Sequence, residues 1–408
     1  MKVTIERLGH RGEGIARGPD GAPVFVPMTL PGEEIEGECR DGRIEAPKIL
    51  RPSPHRVRPD CPHYRACGGC ALMHADDGFV AQWKADVVRA ALAAQGLEAA
   101  LRPTVTVPAN SRRRATLAGR RTKKGAIIGF HARASDTIVP VPDCRLLHPD
   151  LVALIPRLEE LVVLGASRKA ELDLTLTRSD AGVDLSVRGG KPLERDLFAS
   201  LAAFAEQADL ARLSWNGEPV AARRPAAFRM GDAVVVPPPG AFLQASAEAE
   251  AALVQAVTEA VGPARRVADL FCGVGTFALP LARGADILAV EGDADMIAAL
   301  QSAWRATPGL HQLRVETRDL FRRPLLPDEL GRFDAVVIDP PRAGAEAQSR
   351  ELARSGIAVI AAVSCNPVTF ARDARILADA GFRIDWVQVV DQFRWSPHVE
   401  LVARLVRD

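Results

Sequence analysis

From about Pro237 onward the chain alternates short apolar, partly β-branched runs with stretches of helical spacing, and this alternation constrains the fold more than any other feature. Strands that alternate with helices are joined by crossovers, which produces a mostly parallel sheet with helices on its faces, an α/β Rossmann-like arrangement. The pattern predicts strands near Arg266–Leu270, Ile287–Glu291, Gln312–Glu316, Ala335–Ile338, Gly356–Ser364, Phe382–Val390 and Val399–Val406. Ligands of such a sheet bind beyond the carboxyl ends of its strands. The chemically distinctive residues fall there. Asp269-Leu270-Phe271-Cys272-Gly273-Val274-Gly275 ends the first strand and Glu291 the second; Asp319 follows the third, Asp339-Pro340-Pro341-Arg342 the fourth, and Cys365 the fifth.

Cys365 stands where an uninterrupted apolar segment, Gly356 to Val363, meets a helix start. Asn366 can cap that helix, Pro367 suits its first position, and Val368 to Ala380 carries helical spacing up to Gly381. The positive end of a helix dipole favours a thiolate, so Cys365 is expected to be a reactive nucleophile. Taken alone, a cysteine there is better explained as a packed structural thiol. The glycine loop at 273–275 lets the backbone approach a ligand, and Glu291 is placed to bind ribose hydroxyls. Because Gly273, Gly275 and Ala278 also satisfy the dinucleotide spacing, the loop does not separate dinucleotide from S-adenosylmethionine binders. Pro340 and Pro341 lack a backbone donor and either stiffen a loop at the site or simply end the strand.

A chain of 408 residues is long enough for two or three domains at ~150 residues each. Residues 1–57 hold short alternating runs between glycine and proline turns, which predicts a small OB-like β-barrel. Residues 58–236 read as a mixed α+β central domain, and 237–408 as the α/β domain. Within the central part Cys61, Cys67 and Cys70 stand at C-x5-C-x2-C spacing, with Cys144 as a distant fourth thiol; four thiolates suit zinc or an iron–sulfur cluster, and spacing alone does not choose. His63 and His74 are read as bystanders. A helix over Phe79–Gln95 is expected to pack through Phe79, Trp83, Val87, Ala90 and Ala91. Ser111 to Gly125 carries seven Arg or Lys residues and no acid, which fits either phosphate contact or a solvated hairpin. The net charge is only +1, so a nucleic-acid surface has to be local. No apolar run approaches the ~20 residues of a spanning helix and the opening Met1–Arg7 lacks a signal-type core, so no membrane partner and a cytoplasmic location are expected.

Several of these stretches together resemble the RNA uracil-C5 methyltransferase family: Phe242-Leu243-Gln244, the loop from Asp269 to Phe277, Asp339-Pro340-Pro341-Arg342-Ala343-Gly344, Ser364-Cys365-Asn366-Pro367 and His398-Val399-Glu400. Residues 1–57 resemble the TRAM barrel of ribosomal RNA members, and Cys61, Cys67, Cys70 and Cys144 match their [4Fe-4S] pattern, with zinc in second place. The resemblance implies S-adenosylmethionine as methyl donor and RNA, specifically 23S ribosomal RNA, as substrate. It also implies Cys365 as nucleophile on uracil C6, Glu400 as the base that removes the C5 proton, and Gln244, Phe271, Glu291, Asp319 and Asp339 as the lining of the donor site. Three stretches depart from the pattern: Ser246 and Thr276 each replace an Asn, and Arg394-Trp395-Ser396-Pro397 replaces a Pro-His-Thr run. An amino-nitrogen methyltransferase, which would not need Cys365, and a non-catalytic RNA-binding protein are the alternatives.

Overall fold

The structure, a computed structural model, describes residues 1–407. Its largest sheet has eight strands in the spatial order 313–317, 286–291, 266–270, 335–338, 359–364, 400–406, 383–391 and 105–106. The first five are mutually parallel. All seven predicted strands are present, within a few residues of their expected ends. Each central strand divides its side chains between two cores: Val267, Val337, Ala361 and Val363 pack on one face, Ala268, Val336, Ile360 and Ala362 on the other. Burial of both faces explains the uninterrupted apolar runs, since period-two alternation marks only a strand with one wet face.

The strand Glu400–Val406 inserts antiparallel between Val359–Ser364 and Arg383–Asp391. Its start therefore lies at the carboxyl end of its parallel neighbour. Ser364 pairs with Leu401, which sets Glu400 next to Cys365 at that edge.

Residues 77–106 also build onto this sheet. Val105–Thr106 pairs in parallel with Val390–Asp391, and the helix Asp77–Ala93 packs on the strand 383–391 and on the helix Pro367–Asp379. The buried stripe of the helix is Val80, Lys84, Val88 and Leu92, with Ala85 beside it, one position along from the expected face; Phe79, Trp83, Val87 and Ala91 are only partly covered and Ala90 is exposed. The physical reason is Lys84. It is fully buried, pairs with Asp391, and donates to the Phe393 carbonyl at 3.2 Å, so the true apolar stripe is broken by a charge in the sequence.

The remaining central residues form a seven-stranded sheet from 114–121 to 218–222, packed by the helices Leu158–Gly165 and Arg195–Gln207. The N-terminal residues form two three-stranded antiparallel sheets around Ile5, Ala16, Val24, Val26, Ile35 and Ile44. None of the described helices is long and apolar enough to cross a membrane.

Candidate active site

A cavity of about 650 Å³ opens over the carboxyl ends of the parallel strands, a volume typical of small-molecule sites. Gln244, Phe271, Glu291, Asp319, Asp339, Cys365 and Glu400 all line it. A second cavity, of about 380 Å³, lies at the opposite ends of the first three strands beside Arg266, Asp286 and Gln312, where parallel sheets do not present a crossover cleft.

Tight turns position the first half of the site. Phe271 sits at φ +61°, Gly273 at +55° and Gly275 at +96°. A Cβ on Gly275 would stand 2.4 Å from a Leu300 methyl, so that position requires glycine twice over, for conformation and for space. The Glu291 carboxylate accepts from the amides of Gly273 (3.1 Å), Gly292 (2.7 Å) and Asp293 (3.1 Å). Those bonds lock its direction and still leave lone pairs for hydroxyl groups. Asp319 accepts from the Phe321 and Arg322 amides at 3.0 and 3.3 Å, which brings Phe321 to 5.3 Å from the Phe271 ring. Beneath the loop lies Asp269, fully buried with no hydrogen-bond partner on either oxygen. Burial first and Asp339 second push its pKa well above the usual range; the Ala278 amide opposes this weakly without reaching hydrogen-bond geometry.

The second half is built around Cys365. Asn366 caps the helix Pro367–Asp379 by accepting from the Val368 amide at 3.1 Å, and its own amide nitrogen donates to the Arg342 carbonyl at 2.9 Å. The cap thus ties the Asp-Pro-Pro-Arg loop to the cysteine. The expected dipole-stabilised thiolate is not the resting form. Burial, then Glu400, then Asp339 push the Cys365 thiol up to about 11, against a lowering by Arg342. Two nearby carboxyls and a dry setting outweigh one helix terminus, whose influence is ordinarily about 0.3–1 kcal/mol. Desolvation also pushes Asp339 up to about 7 and Glu400 well above the carboxylate range, the latter reinforced by Asp339. The two carboxyls therefore titrate as a pair, each raised by its dry setting.

Gln392, which carries no sequence signal beyond being a polar residue at a strand end, is 2% exposed and joins the two halves. Its Nε2 donates to Glu400 Oε2 at 2.6 Å and to Gln244 Oε1 at 2.9 Å, and its Oε1 accepts from the Ala245 amide at 3.0 Å.

The departures from the family pattern have local explanations. Ser246 caps the helix Ala247–Val261, accepting from the Ala249 amide at 3.1 Å, and Thr276 lines the cavity. Arg394 pairs with Asp77 at 2.7 Å and donates to the Val107 carbonyl at 2.8 Å. Trp395, at φ +60°, accepts from the amides of Ala71 and Leu72 at 2.7 and 2.9 Å, so the loop before Glu400 is held by the chain just after Cys70.

Cys61, Cys67, Cys70 and Cys144 line one small cavity of about 20 Å³. Gly68 lets the loop approach the strand 126–131, where its amide donates to the His131 carbonyl at 2.9 Å; a Cβ there would meet that oxygen at 2.7 Å. Burial pushes Cys70 up to about 12 and raises Cys67 and Cys144, with mutual repulsion adding to it. Shared lining is not ligation geometry: among the described residues no group of three or more Cys, His, Asp or Glu side chains is arranged to hold a metal ion. His74 is buried in hydrogen bonds to Tyr64 and the Thr29 carbonyl, away from that role.

The basic stretch at 111–125 is mostly structural, which corrects the phosphate-contact reading for its first half. Arg113 pairs with Glu250 at 2.5 Å, Arg114 donates to the Ala241 and Gly240 carbonyls, and burial lowers the pKa of Arg112. Only Lys123 and Lys124, with Arg120 bound to Glu171, remain exposed at the hairpin tip.

The sequence profile of the tRNA (uracil-5-)-methyltransferase family matches residues 236–407, and that of the TRAM domain matches residues 1–36. An RNA methyltransferase of Caulobacter vibrioides, described as uncharacterized, is 46% identical over 99% of both chains. The 23S rRNA (uracil(1939)-C(5))-methyltransferase of Chromohalobacter salexigens is 35% identical over 100% of this chain and 89% of its own. The chain belongs to the RNA uracil-C5 methyltransferase family. It is an S-adenosylmethionine-dependent RNA methyltransferase, with a TRAM domain at the N-terminus and the methyltransferase fold at the C-terminus. The crystal structure of the Pyrococcus abyssi tRNA (uracil-54, C5)-methyltransferase in complex with S-adenosyl-L-homocysteine superimposes with a TM-score of 0.76 at 26% identity, covering 100% of this chain and 99% of that one.

Proposed function

We propose that this methyltransferase modifies C5 of a uridine in 23S ribosomal RNA through a covalent bond between Cys365 and uracil C6. The observation that carries the reading is the convergence of Cys365, Glu400 and Asp339 on the cavity that also holds the glycine loop and Glu291. The methyl donor is a substrate whose sulfonium supplies the methyl group. Glu291 suits its ribose hydroxyls, while Phe271, Asp319 and Gln244 complete its surroundings.

Uracil C5 is a weak nucleophile, and sulfur addition at C6 converts the ring to an enolate whose C5 can take up the methyl group. Because the Cys365 thiol rests protonated, addition needs an acceptor for its proton, and Asp339 is that acceptor. Glu400 then receives the C5 proton, the C6–S bond breaks, the double bond reforms, and the thiolate regains a proton from Asp339. One proton leaves to water from Glu400 per turnover, which balances the exchange of hydrogen for methyl. The cationic donor favours the ionised state of both carboxyls when it is bound. A uridine must leave its stack to reach Cys365, so the substrate is a loop or single-stranded segment.

The ribosomal assignment is supported by full-length similarity to the Chromohalobacter salexigens enzyme together with the TRAM domain and the four-cysteine group. In this reading residues 1–57 and the seven-stranded central sheet hold RNA flanks, residues 237–408 together with 77–106, which build onto their sheet, carry the chemistry, and the protein works in the cytoplasm. A [4Fe-4S] cluster on Cys61, Cys67, Cys70 and Cys144 is part of the proposal on the ground of their all-thiol chemistry, and holding it requires the four thiols to draw together from the arrangement described above. Its test is iron and acid-labile sulfide in anaerobically purified protein, with a zinc-only content as the refuting result. The function is tested by mapping 5-methyluridine in ribosomal and transfer RNA from cells with and without the gene. Loss of one ribosomal 5-methyluridine is expected, restored by the wild type and not by Cys365→Ala. An unchanged map, or restoration by Cys365→Ala, refutes the proposal.

A further inference from the structure

We propose that Gln392 is a positioning residue that sets Glu400 and Gln244 at once, selecting which Glu400 oxygen exchanges the C5 proton and turning the Gln244 amide nitrogen toward the ligand. The proposal rests on the assignment of Glu400 as base.

The argument is one of donors and acceptors. A backbone amide only donates, so the Gln392 atom 3.0 Å from the Ala245 nitrogen is its oxygen. That leaves Gln392 Nε2 facing Gln244 and Glu400, with its two hydrogens spent on Gln244 Oε1 and Glu400 Oε2. Glu400 Oε2 is thus held as an acceptor. A proton on the carboxyl favours Oε1, because a carbonyl-type oxygen accepts better than a hydroxyl. Oε1 is then the atom that takes up and releases protons in the cavity that Glu400 lines. Gln244 has its oxygen occupied by the same donor, so it offers N–H groups to any acceptor in the cavity, a uracil carbonyl or the donor's carboxylate. All three members are buried, at 4% exposure or less, where a bond to a charged group is strong and leaving one unmade is costly. Gln392 also lies between two elements, the entry to the helix Ala247–Val261 and the strand beginning at Glu400, so its effect reaches both substrates.

The test uses the full-length protein with an RNA fragment carrying the target. Gln392→Met keeps the volume and removes all three bonds. The expected result is a fall of about ten- to a hundredfold in kcat at saturating donor, with a covalent protein–RNA complex accumulating because C5 proton removal has slowed. Turnover within about twofold of wild type overturns the proposal. So does a loss of turnover with no accumulated complex and a lowered melting temperature, the signature of a purely structural role. Gln392→Glu gives a second reading, also decisive if Gln392→Met does not fold. It keeps an acceptor for Ala245 and sets a carboxylate against Glu400. The groups around Glu400 that titrate are Asp339 and Cys365, and Arg342 is the cation acting on Cys365. The rising limb of the pH–rate profile should move to higher pH in Gln392→Glu, and an unmoved limb overturns the proposal. Wild-type protein with 5-fluorouridine RNA is the separate control on the covalent reading. Fluorine cannot leave as a proton does, so a stable complex must form, and its absence faults the assignment of Cys365 and Glu400 rather than that of Gln392.

Discussion

Glu400→Gln separates two effects that the buried carboxyl exerts. The first is on turnover: without a base at C5 the rate should fall by about 10²- to 10⁴-fold, the usual contribution of a positioned general base. The second is on Cys365. Its thiol is pushed up to about 11 by burial first and then by Glu400 and Asp339. At about pH 8 roughly one molecule in a thousand then carries the thiolate, and full relief of the shift would raise this to roughly one in ten. Burial and Asp339 persist in Glu400→Gln, so its thiolate fraction should rise severalfold, short of the roughly hundredfold that full relief would give. The assay is peptide-resolved alkylation of Cys365 by iodoacetamide across pH, followed by mass spectrometry, in free protein. Faster labelling of the variant, with the curve displaced to lower pH, is expected alongside the loss of turnover. An unchanged labelling curve would refute the electrostatic coupling of the two residues, and turnover near that of wild type would refute the base assignment.

Two further outcomes follow from buried charges. Lys84→Met strands Asp391 in the core, since both side chains of the pair are essentially inaccessible, and should destabilise the protein by about 3–5 kcal/mol, with Lys84→Met/Asp391→Leu recovering much of the loss; equal denaturant midpoints for wild type and Lys84→Met would contradict this. Asp269 has a folded pKa well above its unfolded one, so its contribution to stability is intact only below the unfolded pKa and is lost as pH rises toward the folded value. Asp269→Asn should therefore raise the melting temperature more at about pH 8 than at about pH 5, and a larger gain at the lower pH would contradict the sign.

The alternation of apolar and helical segments was enough to place the seven strands of the C-terminal sheet, because burial on both faces demands uninterrupted apolar runs and crossover helices show their own spacing. The same logic located Glu291, Asp319, Asp339 and Cys365, since ligands gather at the carboxyl ends of parallel strands. Glu400 was legible only through family resemblance: a carboxylate at a strand start carries no local sign of being buried.

What the tertiary structure alone decided are the properties that depend on distance rather than order. The helix Asp77–Ala93 turns a charged residue inward because Asp391, 307 residues away, waits for it. Arg112, Arg113 and Arg114 read as a basic surface in one dimension and become internal ties in three. Cys365 reads as a dipole-activated thiolate and is instead a protonated thiol, because Glu400 and Asp339 converge on it from other strands. Gln392 is unmarked in sequence, and its three bonds exist only because the entry to one helix and the start of an antiparallel strand meet beside it. Sequence thus determined which segments bury their faces and which ends carry the chemistry, while charge state and orientation had to await the fold, since both are set by the sum of neighbours within a few ångströms.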